Sequence, residues 1–352
     1  MIQPEGIDRE LVDFAALLRW MDGCGLPGGS LDGAELLPGG TQNVLVRFSC
    51  SGREYVLRRP PRHPRAKSDD ALRREMRILG ALRGSAVPHP ELLAACPDAS
   101  VLGVVFYLMP VVEGFNCTRT LPTLHASTPS VRHQMGLEAV DALARLAAVD
   151  HVALGLTDVG RPEGFLERQV GQWLRQLERY AELPGYPGAA VPGVDEVARW
   201  LERGMPRAWR PGVMHGDFHV ANLLFEWESP RVAAIVDWEM ATVGDPLLDL
   251  GWLLATWPDA RGWSPLAEFD EFYSLGGLAS AEELVDRYAR SSDRELSAVT
   301  WYTVLACFKL GIVLEGTHAR ACAGHAEPET GDMLHASCLS LFRRARELIG
   351  SS

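Results

Sequence analysis

A polar octet, His215-Gly216-Asp217-Phe218-His219-Val220-Ala221-Asn222, lies between two short apolar runs, Val213-Met214 before it and 222–225 after it. Two strand-like runs joined by so few residues must close a tight loop, and such a loop aims Asp217 and Asn222 at one point. Asp237 follows twenty residues after Asp217, at the end of Val232-Ala-Ala-Ile-Val236, which is apolar enough to be buried. A carboxylate at the end of a buried strand is costly unless it is paired or binds a metal ion. The fold therefore has to supply a partner for Asp237 near the loop.

The three side chains have a chemistry in common. Transfer of a phosphoryl group to an alcohol needs one carboxylate to accept the hydroxyl proton, and an amide and a second carboxylate to hold magnesium on the nucleotide. Asp217, Asn222 and Asp237 come in that order, and the step from Asp217 to Asn222 is that of H-R-D-x-x-x-x-N with Gly216 in place of Arg. Asp217 is the candidate base, and Asn222 and Asp237 are candidate Mg2+ ligands. His215 is expected to hydrogen-bond within the loop. A rival reading takes His215, Asp217 and His219 as an H-x-D-x-H zinc cluster for hydrolysis. No second His/Asp cluster with ligand spacing follows it.

The nucleotide side is read from weaker features. Gly39-Gly40-Thr41-Gln42-Asn43 precedes a strand that starts at Val44, where a Gly-rich turn could bring backbone N–H groups to phosphates, or be an ordinary turn. Only two lysines occur, Lys67 and Lys309, and neither follows G-x-x-x-x-G, so a Walker A loop is excluded. Tyr55-Val-Leu-Arg58 occupies the place of the kinase V-A-I-K strand, with Arg58 where Lys is usual and Glu75 on the next helix as its partner.

Around these features the chain reads as strands first and helices after. Helical spacing is expected over 7–21, a hairpin over 44–48 and 54–59 turned at Ser51-Gly52, a helix over 69–82 and a strand over 101–109. Connector 110–114 leads into helices over 130–149, 164–183 and 195–205, with short strands near 213–214, 222–225 and 231–236. Further helices are expected from 246, 281, 297 and 332. With 352 residues and 47% hydrophobic composition, the chain can bury a large core divided between two lobes. The organisation expected is 1–34 as an N-terminal helical segment, 35–109 as a nucleotide-binding lobe, 110–114 as a hinge and 115–352 as the catalytic and substrate lobe.

Charge is uneven. Residues 35–113 carry 11 Lys+Arg against 8 Asp+Glu, residues 1–34 carry 2 against 6, and the net of −12 leaves −11 for the remainder. A basic lobe facing phosphates beside an acidic lobe attracting cations fits that pattern, as does a solvated acidic surface. No basic stripe with interleaved aromatics points to nucleic acid. No basic start with an apolar run opens the chain, and no uncharged apolar stretch of about 18 residues suggests a membrane span. A cytoplasmic protein acting on a small-molecule substrate is the expectation, and no oligomeric state follows. Seven cysteines without C-x-x-C pairs are expected to be free thiols.

Taken together, His215 to Asn222, Asp237-Trp-Glu239 with Gly244-Asp-Pro-Leu-Leu-Asp-Leu250, and Val56-Leu-Arg-Arg-Pro-Pro61 resemble the aminoglycoside phosphotransferase (choline kinase-like) family. They are most similar to the branch associated with acyl-CoA dehydrogenases. The resemblance runs over about 36–324 and departs from that branch at His219 and Ala221. It implies an α+β, protein-kinase-like, two-lobed fold: a small antiparallel-sheet lobe with one main helix, and a larger, mainly helical lobe. By the same resemblance the cofactors are ATP, with GTP as the alternative, and Mg2+. Asp217 is the base, Asn222 and Asp237 are metal ligands, and Arg58 with Glu75 clamps phosphate. Met109 and Val111 sit in a hinge whose backbone takes adenine, while Gly39, Gly40 and Thr41 stand as candidate phosphate contacts on their own glycine-rich turn alone. Asp249 is expected to brace the catalytic loop. Lys309 and Glu315 fall on a late helix that lines the substrate cleft in the family, or that simply presents a solvated face. The acceptor implied is a hydroxyl of an aminoglycoside-like amino sugar or of a hydroxyacyl-CoA. For the latter, the basic run 58–67 could hold CoA phosphates or be an exposed charged loop. A regulatory pseudokinase that binds nucleotide without turnover is the alternative.

Overall fold

The computed structural model describes residues 7–8, 10–37, 43–62, 68–188, 191–259, 261–265 and 271–351. Helix α1 (Phe14–Gly23) starts at Asp13, whose carboxylate accepts from the Ala16 N–H at 3.0 Å and so satisfies one of the unpaired first-turn donors. Strands β1 (Leu31–Leu37), β2 (Val44–Cys50) and β3 (Arg53–Arg59), helix α2 (Ser68–Ala81), and strands β4 (Ala94–Cys96) and β5 (Phe106–Pro110) complete the small lobe. The sheet is antiparallel, in the order β1-β2-β3-β5-β4. The hairpin turns at Ser51 and Gly52, both at positive φ (53° and 72°), as a tight turn between right-twisted strands requires.

Strand alternation sorts the sheet into two faces. Phe48, Leu57, Phe106 and Leu108 pack under α1, which brings Phe14, Leu17 and Leu18 into the same core. Val56, Arg58, Tyr107 and Met109 face the opposite way, toward α2 and the interlobe cleft. The structure differs from the sequence expectation at two of these strands, β1 and β5. β1 was not anticipated, because its residues are exposed or only half-buried and its apolar positions do not alternate. The strand expected over 101–109 begins only at Phe106, since Val101 and Leu102 lie in a turn and are apolar because they pack on the α1-side core.

The large lobe contains α3 (Thr123–Ser127), α4 (Pro129–Ala147), α5 (Phe165–Tyr180), α6 (Val194–Arg203), α7 (Leu247–Thr256), α8 (Glu271–Ser274), α9 (Ala281–Ser291), α10 (Val299–Cys322) and α11 (Pro328–Gly350). Two small ribbons carry the site: β6 (Gly212–Met214) pairs with β9 (Thr242–Gly244), and β7 (Leu223–Phe225) pairs with β8 (Val232–Ile235). Helix α10 is long and apolar enough to cross a membrane, but 78% of its apolar window is buried inside the fold, between α7 and α11. It is a core helix. Lys309 and Glu315, for which a solvated face was one reading, are both buried within it. All seven cysteines are free thiols.

Candidate active site

The loop from His215 to Asn222 is fixed from beneath before it presents anything to the cleft. Asp249, buried on α7, accepts from the backbone N–H of His215 at 2.6 Å and of Gly216 at 2.8 Å. Lys309 of α10 donates to the Gly216 carbonyl at 3.0 Å and lies 4.5 Å from the Trp252 ring centroid, so its buried charge meets a carbonyl and an aromatic face. Gly216 stands at φ +84°, and a Cβ there would meet the Met240 carbonyl at 2.5 Å, which is why glycine replaces the Arg of the protein-kinase loop. His215 donates from Nε2 to the Val236 carbonyl at 2.9 Å, and burial holds its pKa down. It is a neutral ring that ties the loop to the strand bearing Asp237. That bond fits the hydrogen-bonding role, and His215, Asp217 and His219 do not gather as a metal-holding group among the described residues.

Asp217 and Asn222 then meet above this floor. The Asn222 amide nitrogen lies 2.9 Å from the Asp217 carbonyl and 3.1 Å from its Oδ2. His219 Nε2 is 3.3 Å from Asp217 Oδ1. Burial pushes the Asp217 carboxyl up, but the hydrogen-bonded His219 and the Lys309 charge outweigh it and hold the group well below the usual carboxylate range. Asp217 is therefore an ionised acceptor at any working pH.

Arg58 of β3 links the lobes. Its Nε donates to Glu75 Oε2 at 3.1 Å and its Nη2 to Asp237 Oδ1 at 2.7 Å, with Tyr107 donating to the other Glu75 oxygen at 3.1 Å. The partner that Asp237 needed is this guanidinium. Its planar fork reaches two carboxylates at once, which a lysine ammonium would do less well. Asp237 itself sits at φ +64°, a left-handed conformation in which non-glycine residues cluster at functional sites. Its side chain is 41% exposed to the cleft.

That cleft, about 330 Å³, is lined by Val56, Arg58, Met109, Val111, Asn222 and Asp237 among others. Arg58, Glu75, Met109, Val111, Asn222 and Asp237 thus border one cavity. Asp217 joins them through Asn222. Gly39, Gly40 and Thr41 lie outside the described residues. Of the basic run 58–67, Arg58 and Arg59 are buried and Arg62 pairs with Asp8, so the described part is no free charged loop. Residues 63–67 lie outside the described part. A larger open hollow of about 740 Å³ lies beside α5 and α6, and it gathers none of these groups.

Sequence reasoning missed Asn43 and Glu239. Asn43 donates to Glu239 Oε2 at 2.9 Å, and Arg58 Nη2 lies 3.8 Å from the same oxygen, so the small lobe is pinned to the end of the Asp-Trp-Glu segment. Arg74 of α2 adds bonds to the Glu239 and Ala241 carbonyls at 2.7 and 3.0 Å. Burial and the neighbouring Asp237 charge push the Glu239 carboxyl up to about 7. The folded value lies above the ordinary 4.5, so this group's contribution to stability is full below about pH 4.5 and is lost as pH rises through about 7. Glu239→Gln, which fixes the neutral form, is expected to flatten the melting-temperature decline between those limits. Thermal melts across that range check it, and a slope equal to wild type would refute the assignment.

Residues 33–284 match the model of the phosphotransferase enzyme family. Acyl-CoA dehydrogenase family member 11 of Gallus gallus is 31% identical over 329 residues, 90% of this chain and 41% of that protein. Acyl-CoA dehydrogenase family member 10 of Mus musculus is 30% identical over 298 residues, 83% of this chain and 27% of that protein. The chain spans well under half the length of either relative. A crystal structure from Ralstonia eutropha, described as a candidate aminoglycoside phosphotransferase, superposes with a TM-score of 0.76 at 27% identity, covering 95% of this chain and 98% of that one. The GDP complex of aminoglycoside 2′-phosphotransferase-IIIa shares the fold at a TM-score of 0.61 and 14% identity, covering 97% and 99%.

Proposed function

The chain belongs to the phosphotransferase enzyme family, and on that premise we propose that it moves the terminal phosphoryl group of ATP, bound with Mg2+, onto a hydroxyl of a small molecule. One observation carries the reading: Arg58 joins Glu75 to Asp237 at the end of a cleft that also receives Asn222 and, behind it, an ionised Asp217. The donors suit magnesium. Asn222 turns its amide nitrogen to Asp217, which leaves its carbonyl oxygen as the end available to a cation, and Asp237 keeps a partly exposed carboxylate. These are hard oxygen donors of the kind Mg2+ takes together with phosphate oxygens. Bound there, the ion would offset charge on the phosphates.

The residues of the chain itself do the rest. Met109 and Val111 present hinge backbone to the base, Arg58 positions Asp237 and faces phosphate, and Asp217 accepts a hydrogen bond from the acceptor hydroxyl and orients its oxygen. Lys309 and Asp249 hold the loop from which Asp217 projects. A carboxylate with a low pKa is a weak base, which suits a transition state with little bond formation to the nucleophile, where positioning counts for most.

For the acceptor, we favour a hydroxyacyl-CoA, because the matched relatives are named for acyl-CoA chemistry. Amino sugars are the competing class, supported by the solved neighbours and by the acidic remainder of the chain. The test is consumption of ATP, and in parallel GTP, with and without Mg2+ over a panel of hydroxyacyl-CoAs, amino sugars and choline-like alcohols. Mg2+-dependent stimulation by hydroxyacyl-CoAs alone is the expected result. Stimulation by amino sugars alone would transfer the assignment to that class. No stimulation, with nucleotide binding seen by calorimetry, would make the chain a nucleotide-binding pseudokinase.

A further inference from the structure

Where α10 runs out beyond the catalytic loop, it carries Glu315, His318 and Cys322, spaced three and four residues apart and so on one face. Helix α11 packs against it and supplies His335 and Asp332. One ligand atom from each of Glu315, His318 and His335 lies within 4.8 Å of the other two. Glu315 is 1% exposed. Its Oε2 lies 2.6 Å from His335 Nδ1, and its Oε1 accepts from the Tyr186 hydroxyl at 2.6 Å. The two imidazoles stack with centroids 4.6 Å apart. His318 Nδ1 is buried without a hydrogen bond, with Asp332 Oδ1 at 3.5 Å, and its Nε2 lies 3.7 Å from Cys322 Sγ.

The contact between Glu315 and His335 serves that pair but leaves His318 Nδ1 without a hydrogen bond, although its ring lies stacked on His335. A divalent cation would join all three, since it takes imidazole nitrogens and a carboxylate oxygen together. We propose that Glu315, His318 and His335 form a zinc-type metal site that fastens α10 to α11. Two imidazoles and one carboxylate are donors that zinc accepts, and three protein ligands leave a position for water. Tyr186 would hold the non-ligating carboxylate oxygen, the kind of outer contact that orients a ligand. The site is separate from the nucleotide cleft and does not depend on the proposed activity.

The full chain, stripped with a chelator, reloaded with Zn2+ and washed, is expected to retain one ion, and the Asp237→Ala variant to retain it equally. Co2+ in its place should give the strong visible absorption of a low-coordinate, imidazole-bound ion, which oxygen donors in the cleft would not. His318→Ala and His335→Ala should each abolish both signals. Tyr186→Phe should keep the spectrum but weaken binding by about 10- to 100-fold. Failure of folded wild type to retain Zn2+ would overturn the proposal. So would a Co2+ spectrum lost in Asp237→Ala but kept in both histidine variants.

Discussion

Replacing Asp217 with Ala is expected to lower turnover by about 10²- to 10⁴-fold, the range for loss of a positioned acid–base group, while nucleotide affinity stays within a few-fold of wild type. The split follows from the geometry. Asp217 does not line the cleft wall, whereas Asn222 and Asp237 do. The loop does not depend on the Asp217 side chain, because Asp249 holds the His215 and Gly216 N–H groups, Lys309 holds the Gly216 carbonyl, and Asn222 still has the Asp217 backbone carbonyl at 2.9 Å. Asp217→Asn should lose nearly as much, since it keeps shape but cannot accept the proton. Steady-state kcat on an identified acceptor, set beside calorimetric nucleotide affinity for the same protein, decides it. Full kcat in Asp217→Ala would place the base elsewhere.

How much of this site could be read from the chain depended on how local each interaction is. The geometry of the loop from His215 to Asn222 was legible because the polar residues and their flanking strands are contiguous, and because Asp237 ends an apolar run that needed a partner. Arg58 and Glu75 were legible as opposite charges on a strand and on the helix that follows it. Asp249 was legible through its place in the Gly-Asp-Pro-Leu-Leu-Asp segment. Lys309 was legible only as a charge on an apolar helix. Its partner lies 93 residues away, and spacing along the chain could not distinguish a buried anchor from a solvated face. Asn43 and Glu239, 196 residues apart, gave no signal, since a polar residue after a glycine turn and an acidic residue after a tryptophan are each ordinary. β1 escaped for the opposite reason: its backbone pairs well with β2, but its side chains are too exposed to mark it as a strand.

Arg58→Ala is expected to destabilise the fold by about 3–5 kcal/mol, as removal of one partner from a buried ion pair does, and to weaken nucleotide binding with it. The Arg58 side chain is 6% exposed and that of Glu75 1%, so neither charge has water to fall back on. Burial already pushes the Glu75 carboxyl up, and the Arg58 charge opposes it. Without Arg58, Glu75 can escape the penalty only by taking up a proton, so the variant should be penalised more at pH 8 than at pH 5. Glu75→Gln in the same chain should recover much of the stability, because the uncompensated charge is then gone and an amide can still accept from Tyr107. It should not recover nucleotide binding, because Asp237 still lacks the guanidinium at 2.7 Å. Arg58→Lys falls between these, keeping the charge but not the fork that reaches Glu75 and Asp237 together. Denaturant unfolding at the two pH values, with nucleotide titrations on the single and double variants, separates the structural role from the functional one. An Arg58→Ala protein within about 1 kcal/mol of wild type, in the range of an exposed pair, would mean that the Arg58–Glu75 contact carries no more than a surface salt bridge does.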